Sequence, residues 1–424
     1  MKKKSRPLVR VLGITAIAVT ASLVFAGCSA GATSNADGGK TILNVFGWKG
    51  VKGQEANIAE INAAFKAEHP DITLNYTAIP AGTGYTQKLQ TELLGGTGPD
   101  VLMVDGGLFP QFAGSGYFED LSKESWASKV AEGIRPFNTY KGQLQSEPME
   151  SIGVGLYSNT DVLAKAGVKT VPTDWPTFLD DLARVKAAGL EPLSIPDKGG
   201  WGGVLTFLNI GASQVPAKWD NSFYAGKQSF SPAWTPVVDK LTQLRSVGAL
   251  NWKEELGIDE FAQGPGDFQK GNTAFWMQGA WNLADLKKAG LNVQFTAFPA
   301  ADAGKKPNAL VFSGTSWAIN KASKSKEAAR AYLDFWSQPK NLLKYLDAEA
   351  ALSPFDGGQN PTNTSTEQFA AAVSDGRYRF MQTATWYGGD VQGQIGSKLQ
   401  ALFLGQTDPK TFLTDLDGIG LRKK

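Results

Sequence analysis

The stretch 41–104 restricts the fold more than any other part of the chain. Thr41-Ile42-Leu43-Asn44-Val45-Phe46 reads as a strand that runs into Gly47-Trp48-Lys49-Gly50. Ile58, Ile61 and Phe65 then share one face at helical spacing. Ile72, Leu74 and Tyr76 alternate with polar residues, as a strand does. A second helix around Tyr85 to Leu94 leads through Gly95-Gly96-Thr97-Gly98-Pro99-Asp100 to the apolar strand Val101 to Val104. The order β-α-β-α-β predicts an α/β domain built on a largely parallel sheet.

A second unit starts after Pro148. Gly153 to Tyr157 is strand-like, and Ser158 to Gly167 reads as a short helix ended by glycine. Thr173 stands where it can cap the next helix, whose buried side is Trp175, Phe178, Leu179, Leu182 and Val185 and whose end is Gly189. Phe261 to Lys270 is expected to be helical, followed by a strand from Thr273 to Met277. Ala329, Tyr332, Leu333 and Trp336 form the apolar stripe of a helix from Lys326 to Ser337.

The front end is of a different kind. Lys2, Lys3, Lys4, Arg6 and Arg10 supply a positive flank to a long apolar run that stops at Cys28, the only cysteine, and Leu8 to Phe25 carry no acidic residue. A basic flank, an apolar run and small residues in that order predict an export signal rather than folded structure. Phe25-Ala26-Gly27-Cys28 resembles the lipobox of bacterial lipoproteins, with Phe25 where leucine is more usual. The resemblance implies cleavage before Cys28 and lipidation of its thiol. Residues 1–27 are then a signal peptide, and 28–40, small and polar, a lipidated N-terminus and flexible tether.

Composition narrows the chemistry. The signal takes five of the 42 basic residues and none of the 40 acidic ones, so the remainder is slightly acidic and has no charge bias towards nucleic acid. About 400 residues exceed one hydrophobic core and predict two domains. With Cys28 committed to lipid, no thiolate nucleophile, disulfide or thiolate metal site is left. His69, the one histidine, follows an amphipathic helix and reads as its solvated terminus. Serine–histidine and zinc–histidine catalysis are thereby excluded as working hypotheses, while carboxylate-only enzymes survive.

Four stretches in order resemble the extracellular solute-binding proteins, family 1, of carbohydrate ABC importers. They are Gly95 to Asp105 with Phe109 to Gly116; Leu156-Tyr157-Ser158-Asn159 with Ala166-Gly167 and Pro172 to Trp175; Phe268 to Trp281; and Gly314 to Asn320 with Ser325 to Ala329. The resemblance spans nearly all of the chain after the signal. It implies a periplasmic-binding-protein-like fold of type II, two discontinuous α/β lobes joined by a hinge. Lobe one is expected at 41–149 plus 313–355 and lobe two at 150–312 plus 356–424. It also implies a non-enzymatic, monomeric binder without cofactor or metal. Such a binder closes on a carbohydrate in the interlobe cleft and delivers it to the transmembrane subunits of a permease.

A sugar offers hydroxyl edges and a weakly apolar C–H face, so its site needs flat aromatics and a polar rim. Trp48 follows the first strand, at the edge where ligands bind in open α/β sheets. Trp201 sits among glycines in Lys198-Gly199-Gly200-Trp201-Gly202-Gly203. Trp281 matches the family's stacking tryptophan, and Trp386 in Ala384-Thr385-Trp386-Tyr387-Gly388-Gly389 resembles another aromatic facing the cleft. Four such tryptophans favour more than a monosaccharide. Trp175 and Trp336, on apolar helical faces, are assigned to the core. For the rim the candidates are Asp105, Glu150, Gln278, Gly314, Thr315 and Ser316, then Asn282 and Asp390. Capping the following turn is the competing role for Asp105, and Asp100 is assigned to its loop. The rival functions are a secreted glycoside hydrolase with two carboxylates, for which no marked pair is visible, and a binding protein for a non-sugar solute.

Overall fold

The computed structural model describes residues 36–37, 39–224, 226–380 and 391–418. Cys28, residues 1–27 expected as a signal, Trp386 and Asp390 lie outside the described residues. Two six-stranded sheets organise the rest. The first runs Ala36–Asp37, Lys40–Gly47, Val101–Val104, Ser316–Ile319, Glu147–Pro148, with Ile72–Ala78 also paired to Lys40–Gly47. The second runs Tyr378–Phe380, Ala309–Ser313, Ser151–Asn159, Thr273–Gly279, Glu191–Ser194, with Val293–Thr296 also on Ser151–Asn159.

The β-α-β-α-β segment forms as its pattern demands, and Lys40–Gly47 pairs in parallel with both Ile72–Ala78 and Val101–Val104. The sheet as a whole is mixed rather than largely parallel. Ser316–Ile319, arriving more than 200 residues later, lies antiparallel to Val101–Val104 and to Glu147–Pro148. Local periodicity carries no information about a strand supplied from so far along the chain.

Three other expectations change. Ser158 and Asn159 belong to the strand, and the helix after them is only Thr160–Lys165, capped by the Asn159 side chain. Asp174, not Thr173, caps Trp175–Ala187, its Oδ1 accepting from the N–H of Thr177 at 3.0 Å. The helix expected over 261–270 shrinks to Gly264–Gln269, because two N–H groups of the turn, those of Phe261 and Ala262, are taken by Asp259 Oδ1.

All nine residues of Ser151–Asn159 are buried, as a central strand covered on both faces requires. Gly155 is fixed by its neighbour: a Cβ there would stand 2.2 Å from the carbonyl oxygen of Thr296 on the adjacent strand. Helix Lys326–Ser337 covers the first sheet with Tyr332, Leu333 and Trp336, all buried, and Tyr332 and Trp336 lie against Trp317. Trp175 is likewise buried, against Phe178 and Phe298.

Three segments pass between the sheets side by side. Residues 148–151 leave the first sheet for the second, and 313–316 return. The two are joined by Met149 N–H to Thr315 O at 2.9 Å and Gly314 N–H to Glu150 O at 3.2 Å. The third is held by reciprocal hydrogen bonds between Ser151 and Leu352 of 2.8 and 2.9 Å.

Candidate functional site

The candidate residues collect in two groups, one at each sheet. At the second sheet, strand Thr273–Gly279 ends in the tight turn Ala280–Asn282 that carries Trp281. The Trp281 ring folds back over Gly279, where a Cβ would lie 1.9 Å from it. Trp201 opens helix Trp201–Gln214 behind Gly200, whose left-handed backbone (φ 78°) suits glycine. The two indoles meet at 5.7 Å between centroids and 51° between planes. Phe261 joins them, 4.9 Å from Trp201 and 49% exposed. Residues 20 and 60 apart in sequence thus make one aromatic surface. The sequence reading missed Phe261, since a lone aromatic in a short acidic turn has no periodicity to mark it.

The groups behind this surface are polar and buried. Glu260 Oε1 accepts from the N–H groups of Gly199, at 2.8 Å, and Trp201, at 3.1 Å. Gln278, expected at the rim, is turned inwards and 2% exposed. Its Nε2 donates to the Glu260 carbonyl and its Oε1 accepts from the N–H of Gly279, both at 3.0 Å. Burial pushes Asp197 up to about 7 and Glu255 up to about 8. Each carboxylate still accepts a backbone N–H, from Gly203 and Ile195 respectively.

At the first sheet, Trp48 packs edge-on against Tyr85, 5.2 Å between centroids, and is nearly buried. The Tyr85 hydroxyl donates to the Met103 carbonyl at 2.7 Å. Asp105 caps the turn after its strand, with Oδ1 2.8 Å from the N–H groups of both Gly107 and Leu108. Burial raises its carboxyl, and those two N–H groups pull it back. Its other oxygen makes no hydrogen bond among the described residues. Asp100 is structural, accepting from Asn44 N–H and from the Ser323 hydroxyl.

Between the groups, the crossing segments hold a buried polar network. Glu150, 3% exposed, accepts at Oε1 from the Thr315 N–H (3.0 Å) and hydroxyl (2.8 Å). Tyr345 in turn donates to the Thr315 hydroxyl. Gly314 admits this carboxylate: a Cβ would sit 2.5 Å from Glu150 Oε1. Ser316 points away, into Asn138 at 2.7 Å, and is not at the rim. Lys49, beside Trp48, pairs with Glu349 at the end of helix Pro339–Glu349, and both side chains are buried. That helix packs against the Trp281 turn and against helix Leu283–Lys288, so it ties the two groups together. Glu150 Oε2 and Asn282 Nδ2 are buried without a hydrogen-bond partner among the described residues. Such groups call for an explanation, by ligand or by water. No group of three metal-ligating side chains is assembled among the described residues, and no helix there is long and apolar enough to cross a membrane.

Two sheet-bearing lobes, adjacent antiparallel crossing segments and an aromatic surface define a two-lobed binding protein. Residues 51–342 match the family described as bacterial extracellular solute-binding protein, and the chain belongs to that family. Among its relatives, the lactose-binding protein of Rhizobium radiobacter is 28% identical over 295 residues, 66% of this chain and 66% of that one. The sn-glycerol-3-phosphate-binding periplasmic protein UgpB of Escherichia coli K12 is 24% identical over 324 residues, 70% of this chain and 71% of that one. Among solved structures, the solute-binding protein RafE in complex with raffinose superposes with a TM-score of 0.71 at 18% identity, covering 90% of this chain and 98% of that one.

Proposed function

We propose that this chain is the substrate-binding component of an ABC importer for a carbohydrate longer than one ring. Cys28 carries a lipid that holds the protein at the outer face of the cytoplasmic membrane. The lobes, 41–149 plus 313–355 and 150–312 plus 356–424, close on the sugar and present it to the permease. The observation that carries the reading is the Trp201–Phe261–Trp281 surface, whose rings lie 4.9 and 5.7 Å apart with one rim exposed. Contiguous aromatic area suits the C–H faces of successive sugar rings. The unpartnered Glu150 Oε2 and Asn282 Nδ2 suit hydroxyls that accept and donate. A relative that binds lactose and a structural neighbour holding raffinose agree with it.

The UgpB likeness suggests a phosphorylated polyol instead. Such a ligand wants an uncommitted cation, and Lys49 is already paired with Glu349. A thermal-shift and calorimetric panel of lactose, raffinose, chitotriose, xylotriose and glycerol 3-phosphate separates the readings. An oligosaccharide is expected to raise Tm with concentration and to be retained intact at one per chain. A response to glycerol 3-phosphate alone, or steady cleavage of the sugar, overturns the proposal.

A further inference from the structure

We infer that Glu260 is the positioning residue that sets Trp201, Phe261 and Trp281 relative to one another, and so the spacing at which successive sugar rings are held. The inference rests on the carbohydrate reading and goes beyond it to a residue that touches no ligand. Glu260 is buried where three segments meet, and each segment bears one of the rings. Its Oε1 takes two N–H groups of the glycine-rich loop, those of Gly199 and Trp201. Its carbonyl takes Gln278 Nε2, and Gln278 Oε1 holds the N–H of Gly279, the residue covered by the Trp281 ring. Phe261 is the next residue in the chain.

Two features of the sequence make the arrangement depend on this carboxylate. Helix Trp201–Gln214 starts behind Gly200, which has no side chain to cap it, so its first N–H is satisfied by Glu260 from another segment. A negative group is favoured there by the helix dipole. Gly199 is the second. A Cβ on it would lie 3.2 Å from both Glu260 oxygens, so only glycine lets the loop close on them without displacement. The loop is also laced to the same turn by Asp197 N–H to Glu255 O (2.9 Å) and Lys198 N–H to Ile258 O (3.1 Å). Removing the carboxylate therefore leaves the loop attached while releasing the Trp201 end.

The test compares Glu260→Ala, Glu260→Gln and Gly199→Ala in the full chain. One readout is affinity for the tightest sugar of the panel. The other needs no ligand: two indoles 5.7 Å apart and 51° inclined couple their excited states, and the wild type minus Trp201→Phe circular dichroism difference isolates that couplet. Glu260→Ala should lose the couplet and at least about tenfold in affinity. Glu260→Gln keeps an acceptor oxygen and should retain the couplet, with affinity within about threefold. Gly199→Ala should weaken both readouts in the same direction, which covers the case where Glu260→Ala does not fold. An unchanged couplet in Glu260→Ala, or equal loss in the glutamine and alanine variants, overturns the positioning role. If the wild type binds none of the sugars, the carbohydrate reading falls, and with it the claim about ring spacing, while the couplet still decides whether Glu260 orders the aromatics.

Discussion

Lys49 and Glu349, 300 positions apart in the chain, form an ion pair with both side chains buried. Lys49 follows Trp48, and Glu349 ends the helix that packs on the Trp281 turn, so the pair stands between the two halves of the candidate site. Burial raises the Glu349 carboxyl while Lys49 opposes that rise and Glu150 adds to it. Breaking such a pair from one side leaves an uncompensated buried charge, at a cost of about 3–5 kcal/mol. Lys49→Met and Glu349→Leu should each destabilise by about that much in urea unfolding, and the double variant should be more stable than either single one. Additive losses in the double variant would count against a direct buried pair.

Trp281→Ala removes an aromatic platform. Loss of one stacked aromatic costs about 1–3 kcal/mol in nucleic-acid systems, or about ten- to a hundredfold in affinity. Because Trp281 is only partly buried, its melting temperature should fall less than that of Trp336→Ala, a fully buried core change worth about 3–5 kcal/mol. Calorimetry beside melting curves checks this. Intact affinity with a large fall in Tm would assign Trp281 to packing.

Asp197 and Glu255 give stability a definite pH dependence. Burial lifts them from 3.8 and 4.5 to about 7 and about 8, so the folded chain binds their protons more tightly than the unfolded one. Their contribution is full below the lower values and is lost as pH rises through the upper ones. Tm should therefore fall between pH 5 and 8, and Glu255→Gln, which keeps an acceptor for the Ile195 N–H, should flatten the fall. A Tm that rises over that interval would contradict the assignment.

Cys28→Ala should release soluble protein or leave unprocessed precursor. Fractionation with lipid labelling checks it, and a variant that labels and fractionates like the wild type would remove the lipid anchor from the proposal.

Where the fold was legible in sequence, one local signal was enough. Val101–Val104 and Lys326–Ser337 form over the spans expected of them, since an apolar run or a helical stripe is complete within its own segment. Caps and ends depended on competition between neighbours, as between Thr173 and Asp174. The site was legible in part. Trp201 and Trp281 stood out because small residues flank both, yet nothing in either segment announced that they would touch. Phe261 and Glu260 were silent, because their roles exist only once three separate segments converge. That Gln278 turns inwards was silent for the same reason: its partner, the Glu260 carbonyl, lies 18 residues upstream.

The crossing segments also govern the order in which the chain can become a protein. Strand Ser316–Ile319 fills the gap between Val101–Val104 and Glu147–Pro148. Until it has been synthesised, Val101–Val104 is paired on one side only, with Lys40–Gly47, and Glu147–Pro148 has no strand to join. The second sheet's strands from Ser151 to Ser313 come between, so they can assemble first although they start later. Non-local pairing of this kind slows folding. Here the first half of the chain cannot complete its own sheet, which closes only after Ser316–Ile319 has been delivered from the far side of the second.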